Sequence, residues 1–181
     1  MKAVLDACVI YPSVLREILI GAGAAGMYQP LWSERILGEW VRAVVKLGPL
    51  AVAQAEAEAA QMRRQFPQAM VREQPGIAAR LLLPDPDDVH VLAVAIGGHA
   101  DAIVTFNAMD FPRHLLAEEG ITRRDPDGFL WELQSHHPDA MATILAGVTE
   151  KASRIDGAPA SLKSLLKRAK LPRLARAVQA T

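Results

Sequence analysis

Residues 83–111 read LPDPDDVHVLAVAIGGHADAIVTFNAMDF. Three carboxylates fall within four residues, Asp85, Asp87 and Asp88. Val89, Val91, Leu92, Ala95 and Ile96 then recur near the helical period, and the spacing predicts a helix that Gly97 and Gly98 stop through a left-handed cap. Ala102–Phe106 reads as a short buried strand, with Asn107 and Asp110 in the turn after it. Asp88 at a helix start and Asn107 at a strand end can meet at one edge of a sheet. The carboxyl edge of an open parallel sheet is where ligands bind. Polar groups gathered there suggest a metal site.

Outward from this stretch, the chain keeps alternating strand and helix. Ala3–Leu5 is a short apolar strand ending at Asp6. Pro12 suits a first helical position, and the glycines at 21, 23 and 26 are expected to end that helix. Ser33 caps a second helix with a buried stripe of Ile36, Leu37, Trp40, Val41, Val44 and Val45, and Glu39 lies off the stripe between Arg35 and Arg42. An alanine-rich helix spans about residues 51–66, and residues 69–71 read as a second short strand. Ile121 and Thr122 suggest an edge strand, and Asp125-Pro126 the cap of another helix. Strands alternating with helices predict an α/β domain on a parallel sheet. Beyond Pro138 everything reads as helix, broken at residues 157–159.

Composition narrows the function classes. The 181 residues include one cysteine, Cys8, so no internal disulfide forms, and the chain fits a reducing cytosol. Cys8 itself reads as a small buried thiol. The longest weakly polar run, residues 18–27, is too short and glycine-rich to span a bilayer. Asp6, Arg16 and Glu17 sit where a signal peptide is uncharged. Net charge is zero but unevenly spread: residues 1–150 hold 12 Lys/Arg against 19 Asp/Glu, a net of −7, and residues 151–181 a net of +7. The body is acidic and the tail basic.

The carboxylates fall at element ends or on helices: Asp6, Glu39, Asp88 and Asp110. Like charges brought together raise one another's pKa unless a cation neutralises them. An all-oxygen set suits Mg²⁺ or Mn²⁺, whereas the histidines show no zinc spacing. Each residue also has a plainer reading. The three aspartates compete to cap one helix, Glu39 pairs with its arginines, Asp110 caps the helix after Phe111, and His90 is exposed.

The order of motifs resembles the PIN-domain ribonucleases, particularly VapC-type toxins of bacterial toxin–antitoxin pairs. The matching segments are LDACVIYP at the start, SERILGEW around Glu39, DDVHVLAVA and AIVTFNAMDF. That resemblance implies a PIN-like three-layer α/β domain over residues 1–127, with a small parallel sheet flanked by helices, and a basic helical extension over 128–181. It maps Asp6, Glu39 and Asp88 to recurrent metal ligands and puts the fourth acidic place on Asn107 or Asp110. Asn107 is neutral where many relatives carry Asp, which bears on a second metal. The implied activity is Mg²⁺- or Mn²⁺-dependent cleavage of single-stranded RNA in the cytoplasm by a homodimeric toxin restrained by a small antitoxin. Thr105 or Asn107 would orient the water or phosphate, and Arg16, Arg113 and the tail would hold the RNA backbone. Two other readings exist: a weakened module that binds RNA or a protein without cutting, and a phospho-aspartyl receiver or dehalogenase-like enzyme. The latter's second aspartate would fall on Cys8.

Overall fold

The computed structural model describes residues 1–179. The chain runs through β1 (Lys2–Leu5), α1 (Ala7–Ile10), α2 (Ser13–Ala24), β2 (Gln29–Leu31), α3 (Glu34–Ala43) and α4 (Pro49–Gln65). It continues through α5 (Pro75–Ala78), α6 (Val89–Gly97), β3 (Ala102–Val104), α7 (Arg113–Glu118) and β4 (Thr122–Arg124). Four helices follow: α8 (Pro126–His136), α9 (Pro138–Asp156), α10 (Leu162–Arg168) and α11 (Pro172–Ala177). The fold is α/β, and the described residues form two compact units. The first comprises Met1–Tyr11 and Tyr28–Arg124; the second comprises Pro12–Met27 and the chain from Asp125 onward.

The first unit is built on a four-stranded parallel sheet of order β2-β1-β3-β4. Ala3–Leu5 and Ala102–Val104 are buried on both faces, as expected of inner parallel strands covered by helices. Leu5 pairs with Val104, so β1 and β3 end side by side. Their next residues, Asp6 and Thr105, therefore emerge together at the carboxyl edge. Asp6 N–H donates to Val104 O at 3.2 Å, and Thr105 N–H to Arg124 O at 3.1 Å. Ser33 Oγ caps α3 by accepting from Ile36 N at 3.2 Å.

In the second unit α2 packs on α9. Gly21 makes room for Ile144, whose Cγ2 would lie 2.9 Å from any Cβ placed there. The tail's leucines are packed: Leu165, Leu166, Ala169, Leu171 and Leu174 are all buried. Asp127, 7% exposed, accepts from Arg173 N at 2.9 and 3.0 Å and from Leu174 N at 3.0 Å, tying the start of α11 to α8. Asp127→Ala strands those donors and is expected to cost about 1–2 kcal/mol. Asp127→Asn should cost less, because an amide oxygen still accepts. Equal denaturant midpoints for all three proteins would remove Asp127 from this role.

Several local expectations are corrected. Residues 69–71 form no strand; Met70 makes only an isolated bridge to Trp32. The second strand is instead Gln29–Leu31, an edge strand that tolerates Pro30. The helix from Ser13 runs through Gly21 and Gly23, and only Gly26, at φ +74°, lies in the left-handed region after it. At the end of α6 the left-handed residue is His99, at φ 52°, while Gly98 stays right-handed. His90 is buried, not exposed. Arg16 is buried as well, at 7% exposure, which removes it from the backbone-holding candidates. Among the described residues no helix is long and apolar enough to cross a membrane.

Candidate metal centre

The carboxyl edge of β1 and β3 carries a small hydrogen-bonded network. Thr105 Oγ1 donates to Asp6 Oδ2 at 2.6 Å and accepts from Asn107 N at 2.9 Å. Cys8 Sγ, at 3.1 Å, also donates to Asp6 Oδ2, and Phe106 N donates to the sulfur at 3.3 Å. Both side-chain donors converge on one oxygen of Asp6. Burial, and then the Asp6 charge, push the Cys8 thiol up to about 12, so it remains a protonated donor. The expectation of a small buried thiol at Cys8 is met only in part, because the residue is half-buried.

The second half of the site comes from the turn before α6 and the loop after β3. Asp85 caps the short 3-10 turn Pro86–Asp88, accepting from Asp87 N at 2.9 Å, and so settles which of the three aspartates caps. Asp88 is left with no capping bond of its own. Asn107 Nδ2 donates to Asp88 Oδ2 at 3.0 Å and to Asp110 Oδ2 at 2.5 Å. Two carboxylates can only accept, so the amide must present its nitrogen to them. Arg123 Nη1 donates to Ala108 O at 2.6 Å and Phe111 O at 3.0 Å, which fixes this loop from β4.

One oxygen each from Asp85, Asp88 and Asp110 lie within 4.8 Å of one another. Burial first, and then the charges of Asp6, Asp85 and Asp110, push the Asp88 carboxyl up to about 6. The repulsive part of that shift is what a bound cation relieves. The donors are all oxygen, which fits a hard divalent ion. Asp85 was read from sequence only as a cap, and its place in the cluster is a contribution that reading missed.

Glu39 does not join that cluster among the described residues. Arg35 Nε and His90 Nε2 both approach its Oε1, at 3.1 and 3.0 Å, and Arg35 Nη2 reaches Asp87 O at 3.3 Å. The histidine contact is close but poorly directed for a hydrogen bond, and His90 Nδ1 has no hydrogen-bond partner among the described residues. Burial works to raise the Glu39 pKa, but His90 and then Arg35 outweigh it and hold it below its ordinary value. The structure thus brings Asp88, Asn107 and Asp110 together, sets Asp6 close enough to act on Asp88, and ties Glu39 to the same turn through Arg35 and His90. Arg113 stands exposed just past Asp110.

The PIN domain family matches residues 2–109. The chain belongs to the PIN-domain family. PIN domains are generally metal-dependent nucleases, and the acidic cluster fits binding of such a metal. The PIN match takes in Asp6, Glu39, Asp88 and Asn107 and stops one residue short of Asp110. No curated protein and no solved structure matches this PIN-domain chain.

Proposed function

We propose that this PIN-domain protein is a Mg²⁺- or Mn²⁺-dependent endoribonuclease that cleaves single-stranded RNA, and the toxin of a VapC-type toxin–antitoxin pair. The observation that carries the reading is the close set of Asp85, Asp88 and Asp110 with Asn107 bridging the last two. The nuclease is assigned to residues 1–127 and the basic helices of 128–181 to an extension. Its setting is cytoplasmic, as a homodimer restrained by a small antitoxin.

Asp6, Asp88 and Asp110 would hold the metal, with Glu39 direct or through water and Asp85 beside them; when bound it supplies a Lewis acid for a phosphate oxygen and lowers the pKa of water. Thr105 and Cys8 both donate to Oδ2 of Asp6, and Oδ1 accepts from no side chain among the described residues. Asn107 keeps Asp88 and Asp110 from parting. Because Asn107 is neutral, the site has fewer charges than a fully acidic PIN pocket, which favours one metal over two. The same neutrality supports the second reading, a weakened module that binds RNA or a protein without cutting. Metal-dependent cleavage of a single-stranded RNA by the purified protein separates the two, and its absence at saturating Mn²⁺ would leave the module.

His90 enters as a positioning residue through Glu39. His90→Ala is expected to lower metal affinity about 10- to 100-fold, the usual loss when a partner of a metal ligand is removed. His90→Gln should recover part of it, since a glutamine amide keeps a polar N–H group beside Glu39. Calorimetric affinities equal to wild type in both variants would show that Glu39 needs no help from His90.

A further inference from the structure

We infer that the exposed basic face of α10 and α11 is a second nucleic-acid contact that grips the phosphate backbone of single-stranded RNA. The inference rests on the nuclease reading only for the choice of RNA as the polyanion. Lys163, Lys167 and Arg168 stand exposed on α10, and Arg173 and Arg176 on α11. The opposite side of both helices is consumed by packing, because Leu165, Leu166, Leu171 and Leu174 are buried. The tail is therefore an ordered platform and not a free charged arm.

The acids of this unit are largely committed elsewhere. Asp127 is buried under the backbone N–H groups of Arg173 and Leu174. Asp125 Oδ1 accepts from Gly128 N at 2.8 Å, and its other oxygen lies 4.0 Å from Arg173. Glu17 pairs with Lys151 at 2.8 Å, and Glu150 with Arg154 at 3.0 Å. No acidic residue occurs between Gly157 and Gln179, so nothing within those helices neutralises Lys163, Lys167 and Arg168. Lys163 and Lys167 are one helical turn apart, and Arg168 stands beside Lys167 about 100° round the helix, so the three cations spread over the exposed side of α10.

An anionic membrane surface is the less favoured partner. Interfacial helices insert an apolar face into lipid, whereas the leucines of α10 and α11 already face the protein interior. A flexible phosphodiester strand asks only for accessible cations, and each contact releases counterions, with a slope of about 0.7 per phosphate in log affinity against log salt.

The test uses the full chain in metal-free buffer, where the RNA survives, with a labelled oligouridylate as probe. The triple variant Lys163→Glu, Lys167→Glu, Arg168→Glu should flatten the salt slope by about two units and weaken binding at least tenfold near 0.1 M salt. Lys163→Gln, Lys167→Gln, Arg168→Gln removes the charges without reversing them, and decides the matter if the first variant melts early. An unchanged slope at unchanged melting temperature overturns the proposal. So does binding to phosphatidylserine vesicles without binding to the oligouridylate. Cleavage by the wild-type protein with Mn²⁺ is scored separately: a flattened slope without cleavage removes the nuclease reading and keeps this one, and cleavage with an unaltered slope does the reverse.

Discussion

Replacing Asp88 by Asn is expected to abolish metal-dependent RNA cleavage while making the metal-free protein more stable at neutral pH. A direct ligand should matter more than a partner of one, so the loss should exceed about 100-fold. The gain in stability follows from the raised pKa. In the unfolded chain Asp88 ionises near 3.8 and in the folded chain near 6. The stability this group contributes is therefore fully present below about 4 and lost as pH rises through 6. Asparagine cannot ionise and escapes that loss. Asp88 is half exposed, so solvent screening leaves about 1 kcal/mol of it, or roughly 2–4 °C in melting temperature at this chain length. The wild-type protein should melt lower at pH 7 than at pH 5 without metal and lose that difference when Mn²⁺ is added. Undiminished cleavage in Asp88→Asn, or the same in Asp6→Asn, would remove the acidic cluster from the chemistry.

Asn107→Asp should move metal binding and metal-free stability in opposite directions. Asn107 is the donor between Asp88 and Asp110, at 3.0 and 2.5 Å. Aspartate there loses both N–H groups and sets a third carboxylate against the two it formerly bridged. Without metal the variant should melt several degrees lower at pH 7 and recover as the pH falls through 6 and Asp88 takes up its proton. With Mn²⁺ the added charge strengthens a hard-cation site, and affinity should rise about tenfold. Asp110→Asn should weaken binding instead. Isothermal calorimetry that finds neither change would take the loop after β3 out of the metal shell.

The parts of this fold that were readable in the sequence are those whose signal is local. The run Ala102–Phe106 is apolar and β-branched, so β3 and the polar residues after it could be placed. Gln29–Leu31 has no such run and contains Pro30, and its pairing comes from β1, far away in sequence. Exposure was expected of His90, two residues past Asp88, and the structure buries it. Yet α6 has no polar side chain except His90, and His90–Ala95 are all buried. A helix without a polar face has none to turn toward water, which was the available clue. Asp127 drew no notice in the sequence, because its partners are backbone N–H groups 46 and 47 residues on, which carry no side-chain signature. Asn107 as a bridge between two acids was likewise invisible, since spacing supplies the residues but not the direction of an amide.

The pairing of α2 with α9 has a consequence for biosynthesis. The apolar side chains Leu15, Ile18, Leu19 and Ala22 leave the ribosome early, on a helix that ends at Ala24, but the helix packed on it begins only at Pro138. At about 5–20 residues per second, that gap lasts roughly 6–23 seconds. During it, part of the α2 surface has no native neighbour, and the nascent chain carries a greasy, unsheltered segment suited to a holding chaperone. Slowing translation between residues 24 and 138 should lengthen this exposure, and aggregation of the stalled chains should rise with the delay.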